Sequence, residues 1–147
     1  VFSQFVSFFD LVRRELDHLG MSYFYIDGWV PLKQRTEMVD AFQRGERPIF
    51  LISLKAGGLG LNLTQANYVF HLDPWWNPAI EQQATDRTYR IGQNRAVTVY
   101  HLVSKNTIEE KIIRLHQTKR DLAENILAGT DASYKLTGKD LLEMVAQ

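Results

Sequence analysis

Runs of β-forming residues at 22–26, 48–53, 68–72 and 97–103 alternate with stretches of helical period, and this alternation constrains the fold more than any other feature. The run 48–53 stays apolar up to Ser53, as expected for a strand buried on both faces. Such alternation predicts an α/β fold: an open parallel sheet with helices on both faces, because parallel neighbours need a crossover. A strand stub at 1–3 leads into Phe5, Phe8, Phe9, Val12, Leu16 and Leu19 at helical spacing, stopped by Gly20. Pro31 starts a second helix whose stripe, Leu32, Val39 and Phe42, ends at Gly45. Asn77 and Pro78 cap and start a third, which is expected to run on through Arg87 and Arg90. Residues 107–110 read TIEE, a capping box opening a long helix to about Ala128. A linker at 129–135 and a short helix from Thr137 to Val145 complete the chain.

With 147 residues the chain fits one domain. No apolar run approaches the roughly 20 residues that span a bilayer, and no signal-peptide pattern is present. Without cysteine, thiolate metal sites and disulfides are excluded. The four histidines have no metal-ligand spacing, so no metal site is expected. Seventeen basic residues balance seventeen acidic ones. Any nucleic-acid binding must therefore come from a local patch rather than from overall attraction. The chain opens at Val1, without a Met, inside an apolar run. Residue 1 is accordingly expected to be a cut point in a longer protein.

Three segments carry candidate chemistry. On a helix, Gln83, Arg87 and Arg90 would share one face. Two guanidiniums there suit a polyphosphate, since they stay charged and fork onto phosphate oxygens; a solvated face with an Asp86–Arg90 pair is the alternative. The loop 53–62, SLKAGGLGLN, follows the buried strand. Gly57, Gly58 and Gly60 permit close backbone approach to an anion, with Lys55 adding charge, or simply make a tight turn. A dinucleotide fingerprint does not fit here. Leu63 stands where its third glycine belongs, and too few residues separate Gly60 from Tyr68 for a crossover helix. A Walker A motif is absent too. The turn DPWWNP, 73–78, offers two tryptophans to a core or lid, or to a nucleic acid. Lys33 and Arg35, near their helix start, can meet phosphates or face solvent.

Together these segments resemble the second RecA-like lobe of the Swi/Snf-type ATPases, within the superfamily-two helicases. The resemblance runs from Val1 to about Ala128. VFSQF resembles motif IV, and YIDG followed by Arg35 the segment after it. SLKAGGLGLNL resembles motif V, extended by DPWWNP. QATDRTYRIGQ, from Gln83 to Gln93, resembles motif VI, with Tyr89 where the family usually has His. The tail KLTGKDLLEMV is similar to that of bacterial members.

The resemblance implies a RecA-like lobe over 1–106 and a brace helix, linker and terminal helix over 107–147, the brace returning to a first lobe. It implies ATP between two lobes of one chain. The first lobe, upstream, would supply the phosphate-binding lysine, the Mg2+ ligands and the catalytic acid. This lobe would bring Arg87 and Arg90 as arginine fingers, oriented by Gln83 and Asp86, while Gly57, Gly58 and Gly60 couple the nucleotide to DNA. Ser3, Gln4, Gly28, Lys33, Arg35, Lys55 and Asn62 would touch one strand's backbone, with Trp76 next to the duplex. The implied activity is translocation on double-stranded DNA that remodels protein–DNA complexes, with RNA polymerase or a nucleosome as candidate cargo. The implied setting is the cytoplasmic nucleoid of a bacterium or the nucleus of a eukaryote, with no membrane partner. Alternatives on the same shape are a strand-separating helicase lobe and a non-catalytic interaction module. This fragment alone, lacking Walker A, is expected to be inactive.

Overall fold

A computed structural model describes residues 1–56, 61–88, 93 and 95–127. Five strands form one parallel sheet: β1 Phe2–Ser3, β2 Tyr23–Ile26, β3 Ile49–Ser53, β4 Tyr68–His71 and β5 Thr98–His101. Their order is β2-β3-β1-β4-β5. Among the described residues four helices accompany them: α1 Val6–His18, α2 Leu32–Gln43, α3 Pro78–Thr85 and α4 Ile108–Leu127. Residues Val1–Leu102 form one compact unit, and α4 belongs to a second, Val103–Gln147.

The register shows which helix covers which face. Phe24 pairs with Phe50, and Tyr25 with Leu51. Neighbouring residues of a strand point to opposite faces. Phe42 of α2 packs on Phe50, ring centroids 5.3 Å apart, and Phe9 of α1 packs edge-on against Tyr25 at 5.8 Å. Helices α1 and α2 therefore lie on opposite faces. His71 shares the α2 face, since it pairs with Phe2 and Phe2 with Ile52. Its Nε2 lies 3.0 Å from Thr85 Oγ1, so α3 lies on that face as well.

The core sits on the α2 face: Phe2, Ile26, Val39, Phe42, Phe50, Ile52, Leu61, Leu63 and Val69 are all buried. Three positions of the predicted stripes are exposed: Phe5 and Leu19, the residues that flank α1, and Leu32, the first residue of α2. Both helices stop in the same way. Gly20 and Gly45 take positive φ, and the amides around them return to α1 and α2 carbonyls: Met21 N to Leu16 O, and Glu46 N to Ala41 O.

Between β3 and β4 the described residues 61–67 contain no helix. The loop covers the sheet instead, burying Leu61 and Leu63. It is tied to α2 by Gln43, whose Nε2 donates to Thr64 Oγ1 and whose Oε1 accepts from Gln65 N. At α4 the predicted capping box is shifted by one residue. Thr107 Oγ1 accepts from Glu109 N, and the carboxylate reaching back is that of Glu109, on Ser104 N, rather than that of Glu110. The segments predicted at 129–135 and 137–145 lie outside the described residues.

Candidate functional site

All five strands are parallel, so the loops that follow them emerge along one rim of the sheet, the edge where open α/β sheets bind ligands. The rim is built around a buried carboxylate. Asp73, at the end of β4, is 5% exposed. Its Oδ2 accepts from the Ser3 hydroxyl and its Oδ1 from Gln4 N at 3.1 Å. One side chain thereby fastens the end of central β1 to the end of β4. Ser3 is fully buried and Gln4 partly exposed. The expected direct backbone contact from Ser3 does not fit this placement: its hydroxyl is spent on Asp73, which leaves Gln4 at the surface.

A second clamp shapes the loop between β2 and α2. Arg35 is expected at a phosphate, yet it is 6% exposed and turned inward. Its Nε donates to Val30 O at 2.5 Å, and its Nη2 to Asp27 O and Gly28 O, both at 3.1 Å. The guanidinium does for three loop carbonyls what a helix would do for its own. Gly28 and Lys33, by contrast, are exposed. So are Lys55, after β3, and Asn62, while Ser53 Oγ accepts from Ala56 N inside the turn.

The turn after β4 is held by Glu81, 4% exposed. Its Oε1 accepts from Trp75 N at 2.6 Å, and its Oε2 lies 3.4 Å from His101 Nδ1 on β5. Asn77 Oδ1 caps α3 by accepting from Ala79 N. Trp76 is left half exposed. Behind the turn His71 stacks on His101 at 4.8 Å. Burial, followed by the neighbouring His101 and the chain's amino terminus, lowers its pKa to about 3, so its ring is neutral.

The predicted arginine helix differs from the observed one. Helix α3 ends at Thr85. The chain tightens there: Thr88 N donates to Thr85 O, and Thr88 Oγ1 takes the same carbonyl at 2.7 Å. Gln83 and Asp86 are exposed, with Gln82 Nε2 donating to Asp86 Oδ1 at 2.8 Å. Arg87 is 4% exposed, and its carbonyl accepts from Leu63 N. Gln83 and Arg87 therefore do not share a solvent face, because the helical period stops before Arg87. Arg90, with Gly57, Gly58 and Gly60, lies outside the described residues, as does the Asp86–Arg90 pair. Sequence reasoning missed Glu81 and Trp29, and it took Asp73 only as the start of the DPWWNP turn. For Glu81 the available signal was an acid in the first turn of a Pro-started helix; for Trp29 it was an aromatic in an Asp-Gly turn.

The helicase conserved C-terminal domain family matches residues 1–92, which includes every strand end on this rim up to α3. The chain belongs to this family. Its relatives are of the Swi/Snf type. It is 41% identical over 145 residues to a putative ATP-dependent helicase/translocase, YwqA, of Bacillus subtilis, covering 98% of this chain and 16% of that protein. It is 45% identical over 143 residues to the DNA repair protein RAD5 of Cryptococcus neoformans, covering 96% of this chain and 12% of that one. Transcription termination factor 2 of Drosophila melanogaster is 41% identical over 143 residues, 96% of this chain and 14% of that protein. The chain thus spans less than a fifth of the length of these relatives. Among solved structures, the C-terminal part of the Fun30 ATPase domain superposes with a TM-score of 0.74 at 38% identity, over 78% of this chain and 37% of that one. The helicase C-terminal lobe is RecA-like, as the resemblance implied.

Proposed function

We propose that this chain is the second motor lobe of a DNA-stimulated ATPase that translocates on double-stranded DNA and so remodels protein–DNA complexes. The observation that carries the reading is the rim. In a member of the helicase family, Gln4, Gly28, Lys55, Asn62 and Trp76 stand at the surface on loops that follow strands, and Lys33 on the first turn of α2. These groups suit a nucleic-acid backbone: cations and amides for phosphate, an indole for the apolar wall. Backbone contacts carry no sequence information, so binding is expected to be non-specific and salt-sensitive. Ser3 and Arg35 act one step back, holding the loops that make the contact.

ATP would bind against a first lobe of the same longer chain. Arg90 would reach its phosphates as that lobe closes, and Arg87 would brace the turn from inside. Gln83 and Asp86 would orient them, and Gly57, Gly58 and Gly60 would couple the nucleotide to the DNA track. The ligands for Mg2+ would lie on that first lobe. Such a motor would work on the nucleoid or in the nucleus, and RNA polymerase or a nucleosome would be suitable cargo.

The test is ATP turnover by the full-length protein with and without duplex DNA. Arg90→Ala is expected to lower stimulated turnover by a factor on the order of 10³ or more, as for arginine fingers elsewhere, with an unchanged melting temperature. Wild-type turnover in that variant would refute the finger assignment. Absence of stimulation by any nucleic acid would refute the motor.

A further inference from the structure

Trp29 is 92% exposed, more than any other large apolar side chain among the described residues. A single exposed apolar residue means little, since most of a protein's surface is apolar. Two further observations give this one a role. First, its loop is tied down by hydrogen bonds. Trp29 N donates to Asp27 Oδ1 at 2.8 Å, and Tyr25 OH donates to Asp27 Oδ2 at 3.1 Å. Arg35 binds the carbonyls of Asp27, Gly28 and Val30, the three residues around the tryptophan. The Asp27 carboxylate, the Trp29 amide and these three carbonyls are thus bonded within the loop, while the indole is turned out. Burial, then the bond to Asp27, pushes the Tyr25 phenol up to about 12, so this donor persists at any physiological pH. An aromatic ring held outward by a pre-ordered loop loses little entropy when it binds.

Second, its place on the rim completes a pattern. Along the order β2-β3-β1-β4 the strand ends carry Trp29, then Lys55, then Gln4, then Trp76. The ends of β2 and β4 are three strand spacings apart, about 14 Å. Two indoles thus flank a polar and cationic stretch, with Lys33 exposed in the first turn of α2 beside the outer one. At about 3.4 Å per nucleotide this stretch matches roughly four nucleotides of one strand.

We propose that Trp29 is a nucleic-acid contact residue, the outer member of a tryptophan pair that brackets one strand of duplex DNA, its indole lying on the deoxyribose carbons and groove wall. The inference rests on the motor reading and deepens it. The contact is apolar, so it adds affinity without sequence preference and without releasing counterions.

The experiment measures binding of a fluorescent duplex of about 30 base pairs by the full-length protein across a salt series. Trp29→Ala is expected to raise Kd about tenfold, the scale of one lost aromatic contact, and to leave the slope of log K against log salt unchanged. Trp29→Phe should recover most of the affinity. Lys33→Ala should reduce the slope by about one. The melting temperature of Trp29→Ala should match wild type, since the ring is buried against nothing. Unchanged duplex affinity in Trp29→Ala, beside a wild type that binds DNA, overturns the bracket and leaves the motor standing. So does a lowered melting temperature with affinity retained, which would put the indole on protein. A wild type that binds no duplex overturns both.

Discussion

Replacing Asp73 by Ala tests whether the rim is organised from beneath. The carboxylate is 5% exposed and accepts from the Ser3 hydroxyl and from Gln4 N, so two charge-assisted hydrogen bonds are lost together. Each is worth about 1.5–3 kcal/mol, a gross loss of about 3–6 kcal/mol. Two features reduce it. Ser3 Oγ has Phe5 O at 3.3 Å as another acceptor, and Gln4 is only half-buried, so water can reach its amide. A net destabilisation of about 2–4 kcal/mol is expected, a large share of the roughly 5–15 kcal/mol that holds a domain together. At about 4–8 °C per kcal/mol this lowers the melting temperature by about 8–32 °C. Urea denaturation followed by tryptophan fluorescence reads the change as a lower midpoint at constant m. Asp73→Asn keeps an acceptor for Gln4 N and should lose only about half as much, on the order of 1–2 kcal/mol. A loss of less than about 0.5 kcal/mol in Asp73→Ala, the level of an ordinary surface substitution, would refute the reasoning.

Other outcomes are open to the same denaturation assay. His71 has a folded pKa near 3 against an ordinary 6.5, so the unfolded chain binds its proton more readily. Its contribution to stability is therefore complete above pH 6.5 and is lost as pH falls from 6.5 towards 3, by at most about 1.4 kcal/mol per pH unit. The wild type minus His71→Gln difference should show this slope, and a flat difference would contradict it. Gly45 has φ +77° and open space where a Cβ would stand. Gly45→Ala should thus cost about 1–2 kcal/mol from backbone conformation alone, and Gly45→Asn less; equal stability of all three would show that the helix end is not held there.

Much of the frame was legible from the sequence. Strand runs and helical periods placed all five strands and all four described helices. The Gly20 and Gly45 stops were visible because only a glycine enters the left-handed region cheaply. The short spacing from Gly60 to Tyr68 was enough to deny a crossover helix there. The site was legible only as a set of residue types. Lys33, Lys55, Asn62 and Trp76 could be named as candidates from their segments, but so could Ser3 and Arg35, which face inward. The helix that was to carry two arginines on one face ends at Thr85, where a threonine hydroxyl takes the last carbonyl.

What the sequence determined by itself is periodic: which segments extend, which coil, where they stop, and to which family the chain belongs. That information is local, because side chains two or four positions apart meet along one element. What the tertiary structure decided is which polar groups are spent inside. Ser3 and Asp73 lie 70 positions apart, and Arg35 meets three carbonyls only because β2 and α2 bring them to it. A side chain's hydrogen-bond partner is a matter of distance in space, and no local pattern in the chain encodes whether a cation faces a phosphate or its own backbone.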